Sequence, residues 1–163
     1  KYKMKILIIY ESFFSNTEQI AKAIGEGFES SDVVEICKVS DIKPEQMKGI
    51  DLLIVGAPTR AFRPSPGISG FVRSIPANSL QGIKAASFDT RIALEDIKLR
   101  FLRIMVKLFG YAAESISKKL REKGAEIVIA PEGFCVKDTE GPLKEDELER
   151  AGNWAKKNKN IID

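Results

Sequence analysis

Two short apolar runs constrain the fold more than any other feature of the sequence. Residues 6–10 (ILIIY) and 51–57 (DLLIVGA) are continuous hydrophobic stretches rich in Ile, Leu and Val. A strand that is apolar on both faces must be covered on both faces, which is typical of parallel sheets. Segments with apolar residues at three- and four-residue spacing follow the strand-like runs. The chain is therefore expected to alternate strands with covering helices.

The whole sequence follows this alternation. Strands are predicted at 6–10, 33–39, 51–57, 83–88 and 125–130, the last continued after Pro131 by 133–136. Helices are predicted at 17–28, 67–75, 112–123 and 143–157, with a short helical connection at 44–48. This pattern predicts a three-layer α/β fold, a five-stranded parallel sheet with helices on both faces, as a single domain over residues 1–163. Ligands of such sheets bind at the carboxyl ends of the strands, which makes 11–17, 57–66 and 89–97 the candidate loops.

The 163 residues include no histidine. This excludes a Ser-His-Asp triad, a Cys-His pair and a histidine-based zinc site, so any proton and electron transfer near neutral pH must come from other groups, and a bound cofactor is the natural candidate. Cys37 and Cys135 form neither a CxxC pair nor a disulfide framework, and we expect two buried thiols and no metal site.

The loop after the first strand predicts an anion site. It reads Glu11-Ser12-Phe13-Phe14-Ser15-Asn16-Thr17 and enters a helix, so hydroxyls, an amide and helix N–H groups converge there. Such a site suits a phosphate. The loop lacks the glycines of a Walker A or GxGxxG motif, the cysteine of a phosphatase loop and the paired acids of a receiver domain. The alternative is that Ser15, Asn16 or Thr17 only caps the helix.

Residues 8–21 (IIYESFFSNTEQIA) resemble the FMN phosphate-binding signature of the flavodoxin family. Residues 56–59 (GAPT) are similar to that family's loop after the third strand, and 88–91 (FDTR) resemble the start of its third flavin loop. The tail from 133 to 154, with Gly141-Pro142-Leu143, also fits. The resemblance covers nearly the whole chain and implies the flavodoxin-like strand order 2-1-3-4-5, one non-covalently bound FMN and a redox function.

The resemblance also implies roles for individual residues. Hydroxyl and amide positions would hold the phosphate, and two further loops would lie on either side of the isoalloxazine ring. The implied cofactor-binding residues are Ser12, Phe13, Phe14, Ser15, Asn16, Thr17, Pro58, Thr59, Arg60, Phe62, Asp89, Thr90 and Arg91. No catalytic residue or metal ligand is implied.

The sequence departs from the family pattern in several places. Ser15 stands where Gly or Ala is usual, and Phe13 and Phe14 are bulky for a loop around an anion. Neither ring loop contains Trp or Tyr. Phe62 either stacks on the flavin or plugs its loop against the protein body. Arg60 and Arg63 either lie near the ring, where a cation raises its potential, face solvent or bind a second anionic ligand such as NADPH.

Residues 92–109 do not fit a minimal electron carrier. On a helical wheel Asp96, Arg100, Arg103 and Lys107 share one stripe, and apolar residues cover well over half of the rest. Three interpretations of this extra amphipathic segment at about 92–110 remain open: a long core helix, a homodimer interface that also walls the flavin site, or a contact with a membrane surface or a hydrophobic substrate such as a quinone or porphyrin. Residues 91–123 carry a net charge of +5 and residues 137–149 a net charge of −4. This asymmetry indicates an acidic redox partner or anionic lipid.

Three functions are compatible with these features. The chain is an electron carrier, a small FMN-dependent oxidoreductase acting on a quinone-like substrate or NAD(P)H, or a binding module of this fold that has lost FMN and acts through protein–protein interaction. No stretch reaches the roughly 20 apolar residues of a membrane span, and no signal peptide is recognisable, so we expect a cytoplasmic protein that is not transmembrane. No nucleic-acid-binding motif is present, and nucleic acid is not an expected partner.

Overall fold

A computed structural model describes residues 3–162 of the chain, and these residues alternate between strands and helices. The strands are β1 (Lys5–Tyr10), β2 (Val33–Lys38), β3 (Leu52–Arg60), β4 (Arg63–Pro64), β5 (Lys84–Ile92), β6 (Glu126–Ile127) and β7 (Glu132–Val136). The α-helices are α1 (Asn16–Glu26), α2 (Pro66–Ser74), α3 (Arg100–Phe109), α4 (Ala112–Glu122) and α5 (Glu147–Ile162). Short 3-10 turns occupy Val39–Asp41, Pro44–Met47 and Leu94–Asp96.

The sheet has seven strands among the described residues, not the five that the sequence predicted. Its order is β2-β1-β3-β5-β6, with all of these pairs parallel. The two-residue β4 folds back antiparallel on β3, and β7 pairs with the second half of β5. The predicted fifth strand is thus broken into β6 and β7, and the break contains Pro131, which has no N–H to donate to the ladder. Because of β4 and this break, the observed order β2-β1-β3-β5-β6 carries different strand numbers from the expected order 2-1-3-4-5. The α/β class with a parallel sheet flanked by helices is confirmed.

Strand β1 shows how the two sides of the sheet are covered. Ile6 and Ile8 pack on one side with Ile24 of α1 and Trp154 of α5. The alternate residues, such as Ile9, lie on the other side among residues of α2 and α4. Burial of each of these Ile side chains contributes about 1.5–3 kcal/mol to the free energy of folding, relative to leaving it exposed. This two-sided burial is the physical reason for the continuous apolar run.

The carboxyl halves of β3 and β5 are held in close register by an aromatic side chain. The Phe88 ring lies against Gly56, where a Cβ atom would come within 2.0 Å of it. Phe88, Phe134 and Trp154 also contact one another edge to face, with ring centroids 6.2–6.4 Å apart. Gly56 thereby allows the ends of the two strands to approach and brings their following loops together.

The segment 92–110 differs from the long helix expected for it. Strand β5 continues to Ile92, a 3-10 turn follows, and α3 begins only at Arg100. Asp96 lies in the turn and forms an ion pair of 2.6 Å with Lys144, so it is not part of a helical stripe. Because Val106 is the one residue of α3 that is buried, the interpretation as a core helix is wrong.

Two further expectations need correction. The last helix begins at Glu147 and not at residue 143, because Leu143 forms a bridge with Val136 and Asp146 has a left-handed φ of 66°. Cys37 and Cys135 are partly exposed free thiols and not buried ones. Within residues 3–162, no helix combines the length and the apolar character that crossing a membrane requires.

Candidate functional site

The carboxyl ends of β1, β3 and β5 open onto one cleft of about 660 Å³. This volume falls within the range of about 300–1,000 Å³ that is usual for small-molecule sites. Ten of the thirteen residues proposed from the sequence line it, and they come from three separate loops: Ser12, Phe13, Phe14, Asn16, Thr17, Pro58, Thr59, Arg60, Thr90 and Arg91. Parallel strands bring these loops to one edge of the sheet, as the sequence predicted.

Three proposed residues do not line the cleft. Ser15 is exposed and lies immediately before α1. Asp89 is completely buried beneath the cleft. Phe62 stacks on Phe109 with ring centroids 5.3 Å apart and lines a separate cavity. This placement agrees with the alternative in which Phe62 packs its loop against the protein body, and not with the one in which it stacks on a flavin. Arg63 lies over Phe62, outside the cleft.

The start of α1 presents hydrogen-bond donors to the cleft. The Glu18 N–H donates to the Ser12 hydroxyl at 3.3 Å, and the Gln19 N–H donates to the Ser15 carbonyl at 3.0 Å. The N–H groups of Asn16 and Thr17 have no acceptor within residues 3–162. Unpaired N–H groups at the positive end of a helix dipole form an anion site.

Two hydroxyls from different loops meet beside this helix end. The Oγ atoms of Thr17 and Thr90 lie 2.7 Å apart, and both side chains are buried. Each hydroxyl carries one proton, so one of the pair donates to the other and the second proton stays available for a ligand. The pair therefore joins the first loop to the third and retains a donor toward the cleft.

Arg91 is fixed rigidly at the wall of the cleft. Its Nε and Nη2 atoms donate to the two oxygens of Asp89 at 2.7 and 2.8 Å, and its guanidinium lies 3.7 Å from the centre of the Tyr111 ring. The Ala113 N–H at the start of α4 also donates to Asp89, at 2.8 Å. Burial raises the pKa of Asp89, while Arg91 acts in the opposite direction. Burial lowers the pKa of Arg91, but the bonds to Asp89 outweigh this effect and raise it overall.

The aromatic residues of the first loop lie at the rim of the cleft. Phe13 and Phe14 are 47% and 49% exposed, so neither ring fills the space at the helix end. The Arg60 guanidinium lies 5.1 Å from the centre of the Phe13 ring. This contact connects the first loop to the second and holds a positive charge at the cleft mouth.

The first loop is also tied to the helix that follows β3. The Gly67 N–H, near the start of α2, donates to the Glu11 carboxylate at 3.0 Å, and a Cβ on Gly67 would lie 2.2 Å from that carboxylate. The Glu11 N–H donates to the Gly56 carbonyl at 3.2 Å. Glu11 therefore positions the loop and does not line the cleft.

Sequence reasoning missed several residues of the cleft wall. Tyr111 supplies an aromatic ring that neither ring loop contains, and its hydroxyl donates to the Ile92 carbonyl at 3.1 Å. Burial raises the pKa of Tyr111. Residues 136–139 begin at the carboxyl end of β7, so the strand-end rule applied to the last strand would have found them. Leu99 and Leu102 add an apolar wall from the segment before and within α3.

Comparison with known sequences gives partial matches. No protein-family model matches the chain. An uncharacterised protein of Methanocaldococcus jannaschii is 29% identical over 144 residues, covering 77% of this chain and 37% of that protein. A flavodoxin of Picosynechococcus is 38% identical over 55 residues, covering 34% of this chain and 32% of that protein. The matches thus span about a third of the length of these relatives.

Comparison with solved structures covers nearly the whole chain. A flavodoxin from the domain Archaea superposes with a TM-score of 0.73 at 23% identity, covering 98% of this chain and 99% of that one. Flavodoxin 2 from Bacillus cereus gives 0.72 at 23% identity, covering 96% and 98%. The flavodiiron protein of Giardia intestinalis gives 0.69 at 15% identity, covering 97% of this chain and 36% of that one. The chain therefore has the flavodoxin-like fold that its sequence motifs indicated.

Proposed function

We propose that the chain binds one FMN non-covalently in the cleft and serves as a redox protein. One observation carries this proposal: ten residues assigned to FMN from sequence motifs converge from three loops on a single cleft. The neighbours in fold, which include flavodoxins and a flavodiiron protein, support a flavin-binding redox role in general. The FMN titration described below distinguishes this function from the alternative, a module that has lost FMN.

The donors at the start of α1 suit the phosphate of FMN. The unpaired N–H groups of Asn16 and Thr17 and the spare proton of the Thr17–Thr90 pair all belong to residues that line the cleft at the start of α1. The Asn16 side chain is held by its bond to the Glu140 carbonyl at 3.1 Å, so it also borders this place. Charge-assisted hydrogen bonds of this kind bind a dianion without a lysine or arginine.

The other end of the cleft suits a flat, largely apolar ring. Pro58 and Thr59 near the carboxyl end of β3 and Arg91 near that of β5 line the cleft there. When bound, FMN would supply one- and two-electron transfer. Asp89 neutralises much of the charge of Arg91, whereas Arg60 has no carboxylate partner within residues 3–162. Arg60 is thus one cation available to stabilise negative charge at the cleft, beside Lys98 and Lys137 of the same lining.

The test begins with the purified full chain, its visible spectrum and a titration with FMN. Thr17→Val removes one phosphate donor and is expected to weaken FMN binding by about 1–3 kcal/mol, or roughly 5- to 150-fold. Riboflavin, which lacks the phosphate, serves as the matched control because its affinity should change little. An absence of FMN binding by the wild-type protein would refute the redox proposal, and an equal loss for both ligands would refute the role of Thr17.

A further inference from the structure

Helix α3 turns an apolar strip away from the rest of the protein. Phe101, Ile104 and Leu108 are 67%, 46% and 70% exposed, whereas Val106 is 4% exposed. On a helix with 3.6 residues per turn, the centre of the exposed strip lies about 170° from Val106. The strip therefore projects directly outward and cannot be covered by a small rotation of the helix.

Basic residues occupy the flank of the same helix. Arg100, Arg103 and Lys107 form a contiguous arc beside the apolar strip, and all three are exposed. Lys98 precedes them, and no acidic residue occurs between positions 97 and 111. None of these four cations has a carboxylate partner within residues 3–162. The surface therefore combines an outward apolar strip with uncompensated positive charge.

From this surface we infer that α3 docks the protein on the face of an anionic lipid bilayer. Helices that lie in a membrane interface bury Phe, Leu and similar residues at the acyl boundary and place Lys and Arg among the headgroups. The strip of Phe101, Ile104 and Leu108 fits the first requirement, and the arc of Arg100, Arg103 and Lys107 fits the second. With ten residues, α3 would lie on the membrane and not cross it.

Charge favours this occupant over a second copy of the chain. A two-fold symmetric dimer places the same patch of each subunit against itself. Such a dimer through α3 would bring two sets of four uncompensated cations together, which disfavours association at low salt. Anionic lipid headgroups attract the same cations, and each Lys or Arg at the surface increases partitioning onto the membrane about fivefold.

Docking would also orient the cleft. Leu99 and Leu102 lie on the same side of the helical wheel as the buried Val106 and line the cleft wall. Docking through the outward strip would therefore place α3 between the bilayer and the cleft. This inference concerns the outer surface of α3 and holds whether or not FMN is bound.

Vesicle co-sedimentation of the full chain tests the proposal. Vesicles of phosphatidylcholine with phosphatidylglycerol should bind the protein at low salt, and pure phosphatidylcholine vesicles should bind it far less. The double variant Arg103→Gln/Lys107→Gln should reduce partitioning about 25-fold. The matched control Lys156→Gln/Lys157→Gln removes the same charge from exposed positions of α5 and should reduce it less than about threefold. Leu108→Ser should weaken binding even at full charge.

Three outcomes would overturn the proposal. They are no binding to anionic vesicles at low salt, equal losses in the two double variants, or binding unaffected by Leu108→Ser. Sedimentation velocity tests the competing occupant, a second copy of the chain: a dimer that Leu108→Ser dissociates, without vesicle binding, would assign the surface to self-association. All substituted side chains are exposed, and circular dichroism with FMN titration verifies that the variants fold and retain their cleft.

Discussion

Replacing Ser15 with glycine is expected to stabilise the protein. Ser15 has φ 67° and ψ −4°, a left-handed conformation, immediately before α1. A residue with a Cβ atom pays roughly 1–2 kcal/mol in this region, whereas glycine does not. The Ser15 side chain is exposed and forms no capping hydrogen bond, so its removal loses no contact that the fold uses.

The net gain is smaller than the relief of strain. Glycine increases the conformational entropy of the unfolded chain, which costs about 0.4–1 kcal/mol. The difference leaves a stabilisation of about 0.5–1 kcal/mol for Ser15→Gly. For a chain of this size that corresponds to an increase in Tm of about 1–4 °C.

Urea unfolding of the flavin-free protein measures the effect directly. Ser15→Ala is the matched control, because it removes the same hydroxyl but retains the Cβ atom and its strain, and its free energy of unfolding should stay within about 0.5 kcal/mol of wild type. If the glycine variant is no more stable than the alanine variant, Ser15 is not strained and the reasoning fails.

Two other substitutions test buried contacts. Lys159 Nζ lies 2.9 Å from Asp32 Oδ1 in the interior, and Lys159→Met should cost about 3–5 kcal/mol in urea unfolding, while adding Asp32→Asn should recover part of that loss. Burial raises the pKa of Asp32, but the interaction with Lys159 and the hydrogen bond from the Met4 N–H together outweigh burial, so the net pKa is below its ordinary value. The ionised Asp32 therefore stabilises the folded protein above about pH 4, and this stabilisation is lost on further acidification. Lys159→Met should weaken this acid dependence, and an unchanged pH profile of the free energy of unfolding would contradict the role given to the Lys159–Asp32 pair. Gly133→Ala places a Cβ 2.0 Å from Nε of Arg91 and should displace that side chain, lowering the free energy of unfolding by about 1–3 kcal/mol; an unaltered Tm would mean that the guanidinium has room to move.

The elements that were predicted well are those whose pattern is local. The apolar run at 6–10 became β1 because both of its faces are buried, which the run itself requires. The three loops at the strand ends follow from the same alternation, since parallel strands place their carboxyl ends on one edge. Most of the cleft was therefore predictable without knowledge of any side-chain contact.

The residues that were misplaced depend on contacts distant in sequence. Phe62 lies in a ring loop, but it faces Phe109, which is 47 positions away. Tyr111 reaches the cleft because the chain returns there after α3, and no local pattern marks that return. The strand count failed for a similar reason, since the pairing of β6 and β7 with separate halves of β5 is decided by tertiary contacts.

Helix α3 shows where pattern alone is ambiguous. A buried helix and an interfacial helix have the same surplus of apolar residues, and only their burial separates them. Of the eleven large hydrophobic residues that are exposed within residues 3–162, five fall between positions 99 and 109. Two others, Phe13 and Phe14, line the same cleft as Leu99. Scattered apolar residues need no explanation on a protein surface, but a concentration of this kind is typical of interaction sites. Because this concentration adjoins the candidate cofactor site, a partner that covers it would also control access to the cleft.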